Sequence, residues 1–122
     1  MKNKLLILFA ISPIFIQPSS HLTPHQIEMH KQIKDDLDTE FKRCRLLDNK
    51  YEQQVCYNSL LLNILSHQRS LKRDDILRKN KSDTYDNIRL DYDCEKKLFI
   101  LGEYQKKVET ALNQIEKALN NR

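Results

Sequence analysis

The chain has 122 residues, a formal net charge of +4, 39% hydrophobic and 31% charged residues, but only one glycine (Gly102) and three prolines (Pro13, Pro18, Pro24). At that length it forms one small domain, and its few turn-formers cannot supply the turns that a sandwich, barrel or doubly wound sheet needs about every 8 to 12 residues. A single glycine also excludes the glycine-rich loops that cradle nucleotide phosphates and the GxSxG elbow that presents a nucleophilic serine.

The amino terminus reads as an export signal. Met1-Lys2-Asn3-Lys4 is a short basic region, Leu5 to Ile16 is an apolar run of 12 residues, and Gln17-Pro18-Ser19-Ser20 follows; this is the order of a secretory signal peptide. Twelve helical residues reach about 18 Å, short of the roughly 30 Å of a bilayer core, and Pro13 interrupts them. We expect a signal peptide over 1–20 cut at Ser19 or Ser20, with an uncleaved interfacial anchor as the alternative. A single helical domain over 21–122, periplasmic or secreted, would follow. No cysteine follows the apolar run, which excludes lipid attachment at a lipobox. Without Lys2 and Lys4, 19 basic side chains face 17 acidic ones, a net of +2, too even for a nucleic-acid footprint.

Thr23-Pro24-His25-Gln26 announces the first helix, with Thr at the N-cap, Pro at the first helical position and Gln three after the cap. Ile27, Ile33, Leu37, Phe41, Cys44 and Leu47 then recur mostly at spacings of three and four, which predicts an amphipathic helix of roughly 24 residues. Asp48-Asn49-Lys50 marks a turn, and Asn49 with Glu52 caps a second helix. Val55, Leu60, Leu61, Leu62, Ile64 and Leu65 make that helix broadly apolar, as a central helix would be. Between Ser66 and Ser82 six Lys or Arg stand against two Asp, with Leu71, Ile76 and Leu77 as anchors; the stretch either continues the helix or forms a long connection.

Asp83 is placed to cap a third segment. Its stripe runs through Leu90, Cys94, Leu98, Leu101, Gln105, Val108, Leu112, Ile115 and Leu119 at spacings of three and four that alternate from Leu98 onward, a heptad-like pattern with one polar member. Gly102 lies beside it, where a missing side chain would let another backbone approach. The expected fold is all-α: three amphipathic helices in an up-down bundle or extended helical hairpin, stapled by a disulfide.

Three cysteines in an exported chain imply one disulfide and one thiol. Cys44 and Cys56 would stand about 18 Å apart on one helix, beyond the roughly 7 Å limit for bridging, so their pairing requires the turn at Asn49. Cys56 and Cys94 come level only if 66–82 is a loop centred near Asp75. Both pairings remain open on the sequence.

The stretch from Phe41-Lys42-Arg43-Cys44 to Glu52-Gln53-Gln54-Val55-Cys56 resembles the opening of the LprI-type lysozyme-inhibitor domain. Cys44, Glu52, Val55 and Cys56 match its spacing, and Leu61 falls where that family has a leucine. Ile64-Leu65 replaces the family's Leu-Asp, its Gln-Arg-x-Trp segment is missing, and one of its four cysteines is absent. The resemblance implies a non-catalytic protein that binds a cell-wall hydrolase.

Catalytic, cofactor and metal residues are not indicated, and we expect no enzyme. His25 and His30 are five apart and point about 140° from one another on a helix; with His21, which lies before the cap, they read as solvated, and His67 is isolated. A serine or cysteine nucleophile would need a base and an oxyanion hole, which nothing marks. The basic stretch Arg69, Lys72, Arg73, Arg78, Lys79 and Lys81 is the partner-binding candidate, suited to an acidic protein, anionic membrane or cell-wall polymer. Asn80-Lys81-Ser82 is a glycosylation sequon in a eukaryotic secretory pathway. The expected function is inhibition or neutralisation of a peptidoglycan hydrolase or toxin, as a lysozyme inhibitor or immunity protein does. The alternative is a structural or assembly role in which the third helix pairs with itself in a homodimer or joins an envelope complex.

Overall fold

The computed structural model describes residues 22–79 and 85–121. The expected signal peptide over 1–20, His21, Lys81, the sequon at 80–82 and the expected cap at Asp83 lie outside these residues, as does the side chain of Lys79. Among the described residues there are three helices: α1 (Pro24–Arg45), α2 (Lys50–Lys79) and α3 (Tyr85–Asn120). Among the described residues there is no strand, and no helix is long and apolar enough to cross a membrane.

Helix α1 starts as its sequence dictates. Thr23 Oγ1 accepts from the Gln26 backbone N–H at 3.1 Å, and Gln26 Oε1 accepts from the Thr23 N–H at 2.9 Å, a reciprocal capping box with Pro24 behind it. Its last turn carries Lys42, Arg43 and Arg45, cations at the negative end of the helix dipole. The turn into α2 contains neither Gly nor Pro and is built by side chains instead. Asn49 Oδ1 accepts from the backbone of Tyr51 at 2.7 Å and Glu52 at 3.2 Å. Gln53 Nε2 donates to the carbonyls of Arg45 at 3.0 Å and Leu47 at 2.8 Å, satisfying acceptors that a helix end leaves open.

Across that turn Cys44 and Cys56 are disulfide-bonded, with Cα atoms 5.4 Å apart. Cys94 is the buried free thiol. The alternative pairing of Cys56 with Cys94 is excluded because 66–79 is continuous helix, which brings Cys94 level with Leu71: its Sγ lies 3.8 Å from the Leu71 carbonyl.

The helices run up, down and up. Helix α3 packs on both others and most extensively on α2, and it supplies more of the core than α2, which the sequence had suggested as central. Leu101, Val108 and Ile115 of its stripe, with Ile100 and Tyr104 beside them, are buried against Cys56, Tyr57, Leu60 and Ile64 of α2. Helix α1 closes the core with Cys44 and the half-buried Ile33, Leu37 and Phe41; the Phe41 ring sits 5.3 Å from that of Tyr57 in a tilted pair. Gln105, the polar member of the stripe, accepts from Gln68 Nε2 at 2.9 Å.

Two expectations are corrected. Val55 and Leu62 are 69% and 67% exposed, so the apolar residues of α2 fall on two faces and only one is core. A Cβ on Gly102 would meet nothing within 4 Å, so no backbone approaches there. Replacing this glycine removes a mid-helix conformational cost without a clash, and Gly102→Ala is expected to raise stability by about 0.5–1 kcal/mol. Urea unfolding will show this as a higher midpoint at unchanged slope; a lower midpoint would reveal a close contact.

Candidate functional site

Two surfaces concentrate features that the fold itself does not consume. The first is the outer face of α2. At 3.6 residues per turn, Tyr51, Val55, Leu62, Arg69, Arg73 and Ile76 fall within a sector of about 60°, opposite Tyr57, Leu60 and Ile64. The apolar members are all exposed, as are Arg69, Lys72 and Arg73. The helix thus presents a straight seam, apolar at its amino-terminal half and basic farther on.

Of the basic residues singled out by sequence, Arg69, Lys72 and Arg73 lie on or beside this seam. Arg78 does not belong with them: it is half-buried and ion-paired with Asp75 and, at 3.0 Å, with Asp91, so it braces α2 against α3. Arg73 also lies 3.8 Å from Asp74 and 3.4 Å from Ser70 Oγ, contacts that leave its guanidinium at the surface. Lys79 and Lys81 fall outside the described side chains.

The second surface is a groove of about 610 Å³ between α1 and α3. Its floor and mouth are Leu22, Ile27, Phe99 and Ile100, with His30 and Tyr104 set deeper; Lys31 and Lys34 of α1 and Lys96 and Lys107 of α3 stand around it, with Glu103. Lys107 Nζ lies 4.6 Å from the Tyr104 ring centroid, within cation–π range.

His30 corrects the reading of the histidines as solvated. It is 5% exposed, and its Nε2 lies 2.7 Å from Asp93 Oδ1, while the other oxygen of Asp93 meets Lys97 Nζ at 3.1 Å. The signal was present in the sequence, since His30 sits three residues from both Ile27 and Ile33, in phase with the α1 stripe. His25 is exposed, as expected, and so is His67. Among the described residues no group of three or more His, Cys, Asp or Glu is placed to hold a metal ion.

Burial governs the perturbed groups. It pushes the Cys94 thiol up, with Asp75 and Asp93 adding to the shift and Arg78 and Lys97 opposing it, which disfavours the nucleophilic thiolate. Tyr57 is raised by burial, with Arg45 opposing. Tyr104 is raised far above the ordinary tyrosine range by burial, by the hydrogen bond its hydroxyl donates to Asp38, and by the charges of Asp38 and Asp35.

A tyrosine held neutral in the folded state binds its proton more tightly there than in the unfolded chain. Its stabilising contribution is therefore complete below the unfolded pKa near 10 and is lost as pH rises from there towards the folded value. Stability is expected to fall with pH above about 10, following an earlier loss from the raised Cys94 thiol, and Tyr104→Phe should flatten the decline above about 10, leaving the parts due to Tyr57 and Cys94. Chemical unfolding from pH 8 to 11 tests this; slopes identical in the two proteins would contradict it.

No protein-family model, curated protein or solved structure matches this chain.

Proposed function

We propose that the protein is an exported, non-catalytic binding protein that inhibits or neutralises another exported protein, a peptidoglycan hydrolase or a toxin, by seating the outer face of α2 in its partner's cleft. The observation that carries this reading is the exposed seam in which Tyr51, Val55 and Leu62 run on into Arg69, Lys72 and Arg73. Tyrosine and arginine are the residues through which small contact areas deliver most binding energy. A glycan-cleaving enzyme works with a pair of carboxylates in its cleft, so a rigid basic helix complements such a site in charge and shape.

Export is supported by the basic and apolar order of residues 1–20 and by the disulfide, which suits an oxidising compartment; we assign the periplasm or the extracellular space. The resemblance carried by Cys44, Glu52, Val55 and Cys56 points the same way, and Glu52 and Val55 are both exposed on α2. The α3 stripe, by contrast, is occupied inside the bundle, which leaves α2 as the exposed helical seam for a partner.

The test is a cell-wall turbidity assay with lysozymes and peptidoglycan amidases, paired with a pull-down from envelope extract. Inhibition is expected to saturate at one protein per enzyme and to weaken about 10- to 100-fold in Arg69→Glu/Arg73→Glu, without change in thermal unfolding. Undiminished hydrolase activity, together with recovery of neither a hydrolase nor a toxin, would refute the reading.

A further inference from the structure

The groove between α1 and α3 is separate from the α2 seam and has a different chemistry. Its deeper polar groups are turned to partners within the bundle: His30 Nε2 to Asp93 at 2.7 Å and the Tyr104 hydroxyl to Asp38. What remains towards the opening is carbon, with Ile27 and Phe99 47% and 63% exposed. Around it stand four ammonium groups, two on each helix, against the one carboxylate of Glu103. We infer that this groove binds a single-chain anionic amphiphile, a fatty-acid carboxylate, with its alkyl chain along the floor and its carboxylate among the lysines.

Charge complementarity selects this occupant. A peptide strand would need polar partners for its backbone, because a buried amide left without a hydrogen bond is costly, and the floor offers apolar surface instead. A cationic or neutral chain would gain nothing from the lysines. The volume of about 610 Å³ lies within the range of small-molecule sites. From Lys96 to Lys107 the helix axis advances about 16 Å, room for the roughly 14 Å of an extended 12-carbon chain, whose bonds near 1.5 Å zigzag.

The lysines also have the form this task requires. Their hydrocarbon stems extend the apolar walls while their ammonium groups stay in water at the mouth. Lys96 and Lys107 lie 5.9 Å and 4.6 Å from the Phe99 and Tyr104 ring centroids, so the cations on α3 are held over the aromatic wall.

The experiment is calorimetric titration of the full chain with dodecanoate below its micelle-forming concentration, with octanoate and dodecyltrimethylammonium as comparators. One dodecanoate per chain is expected. Each buried methylene is worth about a fourfold gain in affinity, so octanoate, four methylenes shorter, should bind about 250-fold more weakly. Dodecyltrimethylammonium, which has the same chain and the opposite charge, should bind at least about tenfold more weakly than dodecanoate. Lys34→Glu/Lys107→Glu should cost about tenfold, and Phe99→Ala, at an exposed position, should also weaken binding, whereas Arg69→Glu/Arg73→Glu on α2 should leave it unchanged. Absence of saturable binding, equal binding of the cationic detergent, or equal loss in the α2 variant would overturn the inference. So would loss of hydrolase inhibition in the Lys34→Glu/Lys107→Glu protein without dodecanoate binding in the parent chain, which would give the groove to a protein partner. Because the two surfaces do not share residues, failure here leaves the α2 reading standing, and failure there leaves this one.

Discussion

The bond between Cys44 and Cys56 is the constraint on which the rest of the arrangement depends. The turn between α1 and α2 has neither glycine nor proline to set its course, and a helical domain of this size has a small core. Joining two residues 12 apart across that turn fixes how far each helix extends past the other and removes loop freedom from the unfolded chain, worth about 3 kcal/mol for a loop of this size. Asn49 and Gln53 then complete the turn by capping one helix and tying back to the other. With α1 and α2 held as a hairpin, α3 can lay its stripe against both.

An apolar stripe of repeating spacing leaves register loosely specified, since a helix shifted by one heptad buries a similar set of residues. Polar pairs supply what the stripe lacks. Gln68 meets Gln105 and Arg78 meets Asp91 between α2 and α3, while His30 meets Asp93 and Asp38 meets Tyr104 between α1 and α3. Partly buried polar contacts of this kind add modest stability, because desolvation offsets much of the attraction; we assign them the role of alignment. They also shape the surface. The two pairs between α1 and α3 turn His30 and Tyr104 inward and leave an apolar groove between rows of lysine, and the α2–α3 register leaves the outer face of α2 uncovered.

Much of the fold was legible from spacing and caps. Thr23 through Gln26 and Asn49 through Glu52 mark helix starts because capping chemistry is local. The α3 stripe is plain because one apolar face on a long helix has a clean period. Where a residue's role depends on contacts distant in sequence, the pattern failed. Helix α2 carries apolar residues on opposite faces, so Val55 and Leu62 looked like core, although facing outward makes them candidates for a partner. From sequence His30 reads as a solvated side chain because its partner lies 63 residues away, and its phase with Ile27 and Ile33 is the available clue. The basic run likewise mixed surface residues, Arg69, Lys72 and Arg73, with Arg78, whose neutralising Asp91 lies on another helix. The lysine-ringed groove was not visible at all, since it combines α1 with α3.

If the disulfide is what aligns the bundle, breaking it without altering side-chain volume must weaken the whole domain. The direct measurement is urea unfolding, followed by circular dichroism, of the oxidised chain and of the same chain fully reduced with dithiothreitol. A loss of about 3 kcal/mol on reduction is expected, in a single transition that takes all three helices together. Superimposable curves would contradict the account, and so would a reduced chain in which one helix melts while the other two keep the oxidised midpoint.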